Sequence, residues 1–324
     1  MTKTKKTLLI LGAVILVPVL IFALIINLTL GKLNRKTEWD TMTDEEYEAQ
    51  NKENAGPDTV GENEIDWGER LGLDITGNCI NVLLVGTDRV EDNTSRSDTM
   101  LLVCVNLSTN KVHLISFLRD TYVQIPDHKD NKLNASYSFG GVPLVEETLK
   151  LNFGVPIDAY AMVDFEAFQK VIDILGGVRV YLFNNECAIV NRQCGTSYHE
   201  GYCDLSGRAA LSYCRIRSLD SDFGRTERQR KVLMSLYNKF HTVTLSEALE
   251  LIDNVFPLIT TDVTNTQAVD YAIKLLPILR DCDIHPVHIP DEHFCKDATV
   301  RGMAVLLPDF DEARHTLEKL MQSK

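Results

Sequence analysis

The first 36 residues contain no acid, and no charge of either sign occurs between Leu8 and Leu30. The next stretch has almost no base: Lys52 stands alone among twelve acids from Thr37 to Glu69. Several chemical signatures are also missing. There is no Gly-x-x-x-x-Gly-Lys-Ser/Thr loop, which excludes a P-loop nucleotidase, and no Gly-x-Ser-x-Gly elbow, which excludes a serine hydrolase of that design. No Cys/His nucleophile pair is evident, and no internal repeat or low-complexity tract follows the acidic stretch, so a solenoid is excluded as well. Of the net charge of −13, the first 36 residues contribute +6 and residues 37–69 contribute −11, which leaves −8 for the remainder. An acidic distal part with no basic domain argues against a nucleic-acid partner.

What is present divides the chain of 324 residues into four parts. A short basic tail, residues 1–7, precedes the uncharged run 8–30, whose 23 residues are enough to span a bilayer as a helix. A cleaved signal would be shorter and would end in a small-residue cleavage site, so this run reads as an uncleaved anchor, with Pro18 tolerated mid-span. Lys3, Lys5 and Lys6 before the run balance Lys32, Arg35 and Lys36 after it, so the positive-inside rule leaves the orientation level. The tail is too short to be a domain, and all eight cysteines lie beyond the run. Both points place the N-terminus inside and the bulk outside, where the thiols either pair or stay free and buried. Residues 31–75 read as a polar acidic stalk that cannot bury enough apolar surface to fold firmly. Residues 76–324 are the folded domain, and 44% hydrophobic residues in the whole chain suffice for its core.

Within that domain, Ile80–Val85, Thr99–Val105 and Val112–Phe117 are short, nearly continuous apolar runs, the pattern of strands buried on both faces. The turn-rich residues 106–111 predict a hairpin between the second and third. Helical periodicity follows over 142–151 and 165–175, the second stopped by Gly176–Gly177, and Val178–Leu182 is a further strand. Strands alternating with helices predict a layered α/β domain with helices on both faces of one sheet.

Three polar clusters fall where strands end: Gly86-Thr87-Asp88-Arg89, Ser95-Arg96-Ser97-Asp98-Thr99 and Leu118-Arg119-Asp120-Thr121. Ligands of open α/β sheets gather at strand ends. Asp88 and Asp98 are candidates for a hard cation such as Mg2+, which takes one or two carboxylates with phosphate oxygens and water. Each is equally a commonplace turn residue; recurrence beside arginine at three strand ends favours the metal. A fourth stretch, YCRIRSLDSDFGRTERQRK from Tyr213 to Lys231, concentrates arginine in an acidic protein. Two readings compete for it, a solvated helix laced with ion pairs and a polyphosphate site, since guanidinium forks match phosphate oxygens in pairs. Alternation from Tyr213 to Arg217 predicts an extended segment with Arg215 and Arg217 on one side. A loop, 218–224, then carries Asp220 and Asp222. A helix from about Arg225 to Phe240 puts Arg225 and Gln229 on the stripe of Val232 and Leu236, facing the core, which favours the anion site. His285, His288, His293 and Cys295, near Cys282, fit no regular zinc spacing, with Pro286 and Pro290 breaking any helix that would align them. Cys187, Cys194 and Cys203 fall in an expected loop excursion.

The succession LLVGTD, RSDTMLL, LRDTYVQIP, KLNASYSFGG, ILGGVRV and YCRIRSLDSDFGRTERQR behind an apolar anchor closely resembles the LytR–CpsA–Psr family of bacterial cell-envelope proteins. The resemblance covers residues 78–240 in order. It implies an extracytoplasmic α–β–α sandwich around a central, mostly mixed sheet, preceded by one transmembrane helix, in an enzyme of a Gram-positive-type cell membrane. Such an enzyme moves a glycopolymer from a polyprenyl-pyrophosphate carrier to peptidoglycan, with Mg2+, or Mn2+ in its place, as cofactor. Carried across, Asp88 and Asp98 match the metal ligands. Arg96, Arg119, Arg215, Arg217 and Arg225 match the pyrophosphate-binding arginines, Gln229 a polar pyrophosphate contact, and Asp222 an acid near the reacting centre. Leu118 replaces a usual proline, Cys214 a usual valine or threonine, and the cysteine content is high for the family. A polyprenyl-pyrophosphate hydrolase and a non-catalytic lipid-linked glycan sensor are the alternatives.

Overall fold

The computed structural model describes residues 30–36, 38–69, 79–87, 97–217, 219, 222–240, 242–279 and 282–322. The expected tail and all but the last residue of the expected anchor, together with Asp88, Arg96 and Asp220, lie outside the described residues. Among the described residues no helix is long and apolar enough to cross a membrane.

The three apolar runs form β1 (Cys79–Thr87), β2 (Ser97–Asn106) and β3 (Lys111–Phe117), an antiparallel meander. β6 (Ala159–Asp164) joins β1 in parallel, β10 (Asp283–Ile289) joins β3 in parallel, and the short β9 (Thr260–Thr261) closes the other edge antiparallel to β6. The result is a mixed six-stranded sheet of order β10-β3-β2-β1-β6-β9. Its strands are apolar throughout because both faces are covered. Leu83, Val85, Met100, Leu102, Ile115 and Phe117 pack on one face with α2 (Leu133–Phe153) and the C-terminal α9 (Phe310–Gln322). The alternate residues Leu101, Val105, Val112 and Leu114 pack on the other face. They meet Leu233 of α6 (Asp222–Phe240) and Ile278 of α8 (Asn265–Leu279). The α–β–α layering follows from this period of two.

A second core lies beside the sheet. It holds α3 (Phe165–Ile174), α4 (Asn184–Cys194), α5 (Gly207–Cys214) and the hairpin of β7 (Val178–Leu182) with β8 (Gly201–Leu205). The strand expected at 178–182 therefore belongs to this hairpin, outside the main sheet. The expected loop around Cys187 and Cys194 is α4, and Cys187 and Cys203 are buried in the second core. All eight thiols are free. The helix read at 142–151 is the second half of α2, which is broken at Gly140 and Gly141 (φ 65°) before Pro143.

The acidic segment, expected to stand free, lies against the domain. Thr43 caps α1 (Asp44–Gln50) with a reciprocal Glu46 bond, and three aromatics pin the segment down. Trp39 packs on Tyr137 and Tyr160, Tyr47 on Phe139, and Trp67 on Phe310 and Tyr122. Glu48 pairs with Lys129 and Arg301, and Glu53 with Lys132. Composition averages over such anchors, since three large rings supply burial that a polar mean conceals. β4 (Tyr122–Val123) pairs with β5 (Asn131–Lys132), and β11 (Cys295–Val300) with β12 (Met303–Pro308), in small sheets beneath this strap. α7 (Leu245–Asn254) completes the described helices.

Candidate functional site: an apolar cleft with an arginine rim

Between the sheet and the second core runs a narrow cleft of about 130 Å³. Its floor is Leu84 and Gly86 of β1 with Thr99 and Leu101 of β2, and its walls include Phe165 and Phe168 of α3 and Leu233 of α6. At its rim are four of the predicted residues, Arg215, Arg217, Arg225 and Gln229. The structure thus gathers both halves of the arginine stretch around one opening.

Each rim residue has a local cause. Asp164 ends β6 and caps α3, its Oδ1 accepting from the Ala167 N–H at 2.8 Å. That cap fixes Phe165, whose ring lies 4.5 Å from the Arg215 guanidinium. Ser206 caps α5, and Gly207 lets that helix press onto α3, where a Cβ would meet the Gln169 carbonyl oxygen at 2.3 Å. The segment 213–217, expected to be extended, is the end of α5 and its turn: Tyr213 and Cys214 are helical and Arg215 is the C-cap. Alternation misled because Tyr213, Cys214 and Ile216 are all buried. Arg215 and Arg217 still share the cleft, through a turn instead of a strand.

α6 begins at Asp222, three residues before the expected start, so Asp222 opens the helix. An acid in a first turn suits the positive helix end. Arg225 is 4% exposed and Gln229 is partly buried, the inward placement predicted from the stripe. Arg228, which the sequence reading counted only as charge, is equally buried and structural. Its Nη2 donates to the Ile216 carbonyl at 2.8 Å and its Nη1 lies 3.5 Å from Glu186 Oε1. Ile216 sits between the two rim arginines, so Arg228 holds their turn against α6. The signal that could have found it is its i+3 spacing from Arg225 on the inward side of the helix. Arg230 pairs with Glu227. Burial pushes the Glu227 carboxyl up, but the hydrogen bond and charge of Arg230 outweigh it and hold the group below the usual range. Cys214 lines the cleft as a neutral thiol, since burial pushes its pKa up to about 12.

Arg119 lies two residues beyond β3, half-buried, with its Nε 3.4 Å from Asp120 Oδ2, and is not among the residues lining the cleft. For the cation candidates the backbone register is informative. Gly86 faces Thr99 whereas Thr87 faces Ser97, so Asp98 is the extra residue of a β-bulge. Asp88 is one peptide bond beyond Thr87. Asp88 itself lies outside the described residues. Among the described residues no group of three or more His, Cys, Asp or Glu is placed to hold a metal.

The arrangement suits an amphiphile whose tail is apolar and whose head is a polyanion. Comparison with known proteins bears on the family and the fold. The chain is 37% identical over 187 residues to the polyisoprenyl-teichoic acid–peptidoglycan teichoic acid transferase TagU of Oceanobacillus iheyensis, covering 54% of this chain and 57% of that one. It is 34% identical over 160 residues to the regulatory protein MsrR of Staphylococcus aureus, covering 48% of each. The chain spans about half the length of the curated relatives it matches. In fold it is similar to TagT bound to LIIa-WTA, with a TM-score of 0.63 over 79% of this chain and 92% of that one, at 24% identity. It is likewise similar to the LytR-CPS2A-psr family protein YwtF (TagT) with bound octaprenyl pyrophosphate lipid, with a TM-score of 0.59 over 78% and 93%, at 22% identity. The LytR_cpsA_psr family model matches residues 36–322, nearly the whole described domain, and the chain belongs to that family.

Proposed function

We propose that the protein is a membrane-anchored phosphotransferase that moves a glycopolymer from a polyprenyl-pyrophosphate carrier to a peptidoglycan hydroxyl outside the cell. The observation that carries this reading is the joining of an apolar slot to an arginine rim in one cleft. Polyprenyl enters between Phe165, Phe168 and Leu233, and the pyrophosphate meets Arg215, Arg217, Arg225 and Gln229. Guanidinium pairs spread the charge that shifts from the attacked phosphorus to the leaving phosphate, the main demand of phosphoryl transfer. Arg225 is already desolvated, so its attraction for an anion is little screened.

In the reaction a sugar hydroxyl oxygen attacks the phosphorus that bears the glycan. A new P–O bond forms, the bridging P–O bond of the pyrophosphate breaks, and polyprenyl phosphate leaves with the bond's electron pair. Asp222, at the start of α6, takes the hydroxyl proton, and Arg119 and Arg96 add positive charge. Asp88 and Asp98 would hold Mg2+, which supplies Lewis-acid neutralisation of phosphate oxygens when bound.

The test incubates the full chain in detergent with a polyprenyl-pyrophosphate glycan, an acceptor glycan and Mg2+. Transfer that EDTA blocks and Arg225→Ala lowers by about 10²-fold is expected, the loss typical of one preorganised charge donor. Undiminished transfer in Arg225→Ala, Asp98→Ala and Arg119→Ala would overturn these roles. Release of free glycan phosphate, with no glycan joined to the acceptor, would identify a hydrolase instead.

A further inference from the structure

A second concave surface lies on the opposite flank of α6. The outward face of the β7–β8 hairpin carries Tyr181 directly opposite Tyr202, with Phe183 just beyond. These rings are 37%, 70% and 51% exposed, and they make up half of the six exposed large hydrophobics among the described residues. They stand on a two-stranded hairpin whose other face, Val178, Val180 and Leu182, is buried. The rings meet edge to face, Tyr181 at 5.5 Å and 88° to Tyr202 and at 5.3 Å and 68° to Phe183. Edge contacts of this kind leave ring faces to other partners: the Arg179 guanidinium lies over the Tyr202 ring, 5.8 Å from its centroid, and leaves the opposite face for a sugar.

Beside the rings runs an open groove of about 880 Å³, several times the volume of the cleft. Its α6 wall carries Arg230, Lys231, Ser235 and Asn238, and its hairpin wall Arg179. From Glu227 to Asn238 that wall is about 16 Å long at 1.5 Å per residue, room for a chain of several rings. Cations outnumber acids along it: Arg179, Arg230, Lys231 and Lys239 against Glu227 and Glu247. Gln229, at the cleft, and Arg230, at the groove, are consecutive, because each residue turns a helix by about 100°.

We propose that this groove binds the acceptor, a peptidoglycan glycan strand, with sugar faces stacked on Tyr181 and Tyr202 and stem-peptide carboxylates on Lys231 and Arg179. Three features select a glycan. Open aromatic faces attract the electropositive C–H edges of pyranose rings. Asn238, Ser235 and the cations supply hydroxyl and carboxylate partners. Leu175, Met234 and Val243 stand beside these polar groups in the lining, a mixture that suits the apolar faces and hydroxylated edges of sugar rings. The proposal rests on the transfer reading for its acceptor; because the groove lies across α6, about 10 Å from the cleft, the sugars it holds flank the attacking sugar of the same strand and do not include it.

The experiment measures co-sedimentation of the full chain in detergent with purified sacculi stripped of covalent glycopolymer. Tyr202→Ala, at an exposed ring, and Lys231→Glu, at a part-buried cation that lines the groove, should each weaken sacculus binding at least tenfold. Octaprenyl-pyrophosphate binding and the melting temperature should stay unchanged, and Tyr202→Trp should retain binding. Wild-type protein that fails to sediment with sacculi, or variants that sediment as well as wild type, would overturn the groove. Equal transfer KM for polymeric acceptor in all variants would do so while leaving the transfer reading intact. Sacculus binding that depends on Tyr202, without any transfer, would refute the transfer reading and keep the groove. Loss of binding with a lowered melting temperature in Tyr202→Ala alone would assign the rings to hairpin packing and overturn the proposal unless Lys231→Glu also loses binding.

Discussion

Arg228→Met tests how the arginine rim is built. Arg228 and Glu186 are 3% and 6% exposed at the side chain, with 3.5 Å between Nη1 and Oε1. Removing the guanidinium leaves the Glu186 carboxylate buried without its counter-charge, which costs about 3–5 kcal/mol. It also takes the donor from the Ile216 carbonyl, an orphaned buried acceptor worth about 1–3 kcal/mol when nothing replaces it. The two losses overlap in one side chain, so the lower figures apply, and about 4 kcal/mol is expected in urea unfolding followed by circular dichroism at pH 7. With m in the range of about 1–3 kcal/mol/M, the midpoint falls by more than 1 M. Pairing the change with Glu186→Leu should restore most of the stability, because packed apolar residues replace a buried ion pair at little cost. The double variant still lacks the Ile216 contact, so its affinity for octaprenyl pyrophosphate should stay at least tenfold below wild type. A loss under 1 kcal/mol, or a double variant that binds lipid normally, would refute the view that Arg228 holds the 215–217 turn.

Two further outcomes follow from groups away from the cleft. Burial, with the charges of Asp262 and Glu147, pushes the Glu146 carboxyl up to about 7, and its Oε1 has no hydrogen-bond partner. Because the folded pKa exceeds the unfolded one, the wild type is relatively favoured below about pH 4.5 and loses that advantage as pH rises through 7. Glu146→Gln should therefore stabilise by about 1–2 kcal/mol at pH 8, after allowance for partial exposure, and by nothing at pH 4; equal midpoints at both pH values would contradict this. Gly141 has φ 65°, and a Cβ there would lie 2.2 Å from Trp39 Cδ2. Gly141→Ala should cost about 2–4 kcal/mol and open residues 38–69 to limited proteolysis, and an unchanged digestion pattern would show that Trp39 does not need that surface.

The layered fold was legible because β1, β2 and β3 are apolar on both faces, a pattern few other settings produce. The inward placement of Arg225 and Gln229 was legible for a related reason: a helix repeats every 3.6 residues, so Val232 and Leu236 reveal the direction of their neighbours. The errors came where local pattern and tertiary burial disagree. Tyr213, Cys214 and Ile216 are buried for different reasons, two by a helix end and one by the turn after it, and their spacing imitated a strand. Arg228 looked like any other cation of its stretch because its partner, Glu186, is 42 residues away. Trp39, Tyr47 and Trp67 were hidden in a segment whose average is strongly polar, since docking needs a few rings and a receiving surface, and the surface is made by distant residues. The β7–β8 groove was invisible for the same reason: Tyr181 and Tyr202 become one platform only when the hairpin pairs them.

The strap bears on how the domain is held. Docking starts at the first described residues: Leu30 is buried, the Asn34 N–H donates to the Ile259 carbonyl, and Arg35 reaches the Val263 carbonyl. With the anchor proposed for residues 8–30, no spare chain separates bilayer from domain. A domain on a long tether samples a large volume and meets a membrane substrate at low effective concentration; shortening the tether raises that concentration steeply. With the proposed anchor the tether length would be close to zero. A carrier lipid embedded in the same bilayer would then encounter the cleft by two-dimensional diffusion, and lengthening the chain between residues 30 and 34 with a flexible insert should slow transfer from vesicle-borne lipid while leaving transfer from detergent-dispersed lipid unchanged.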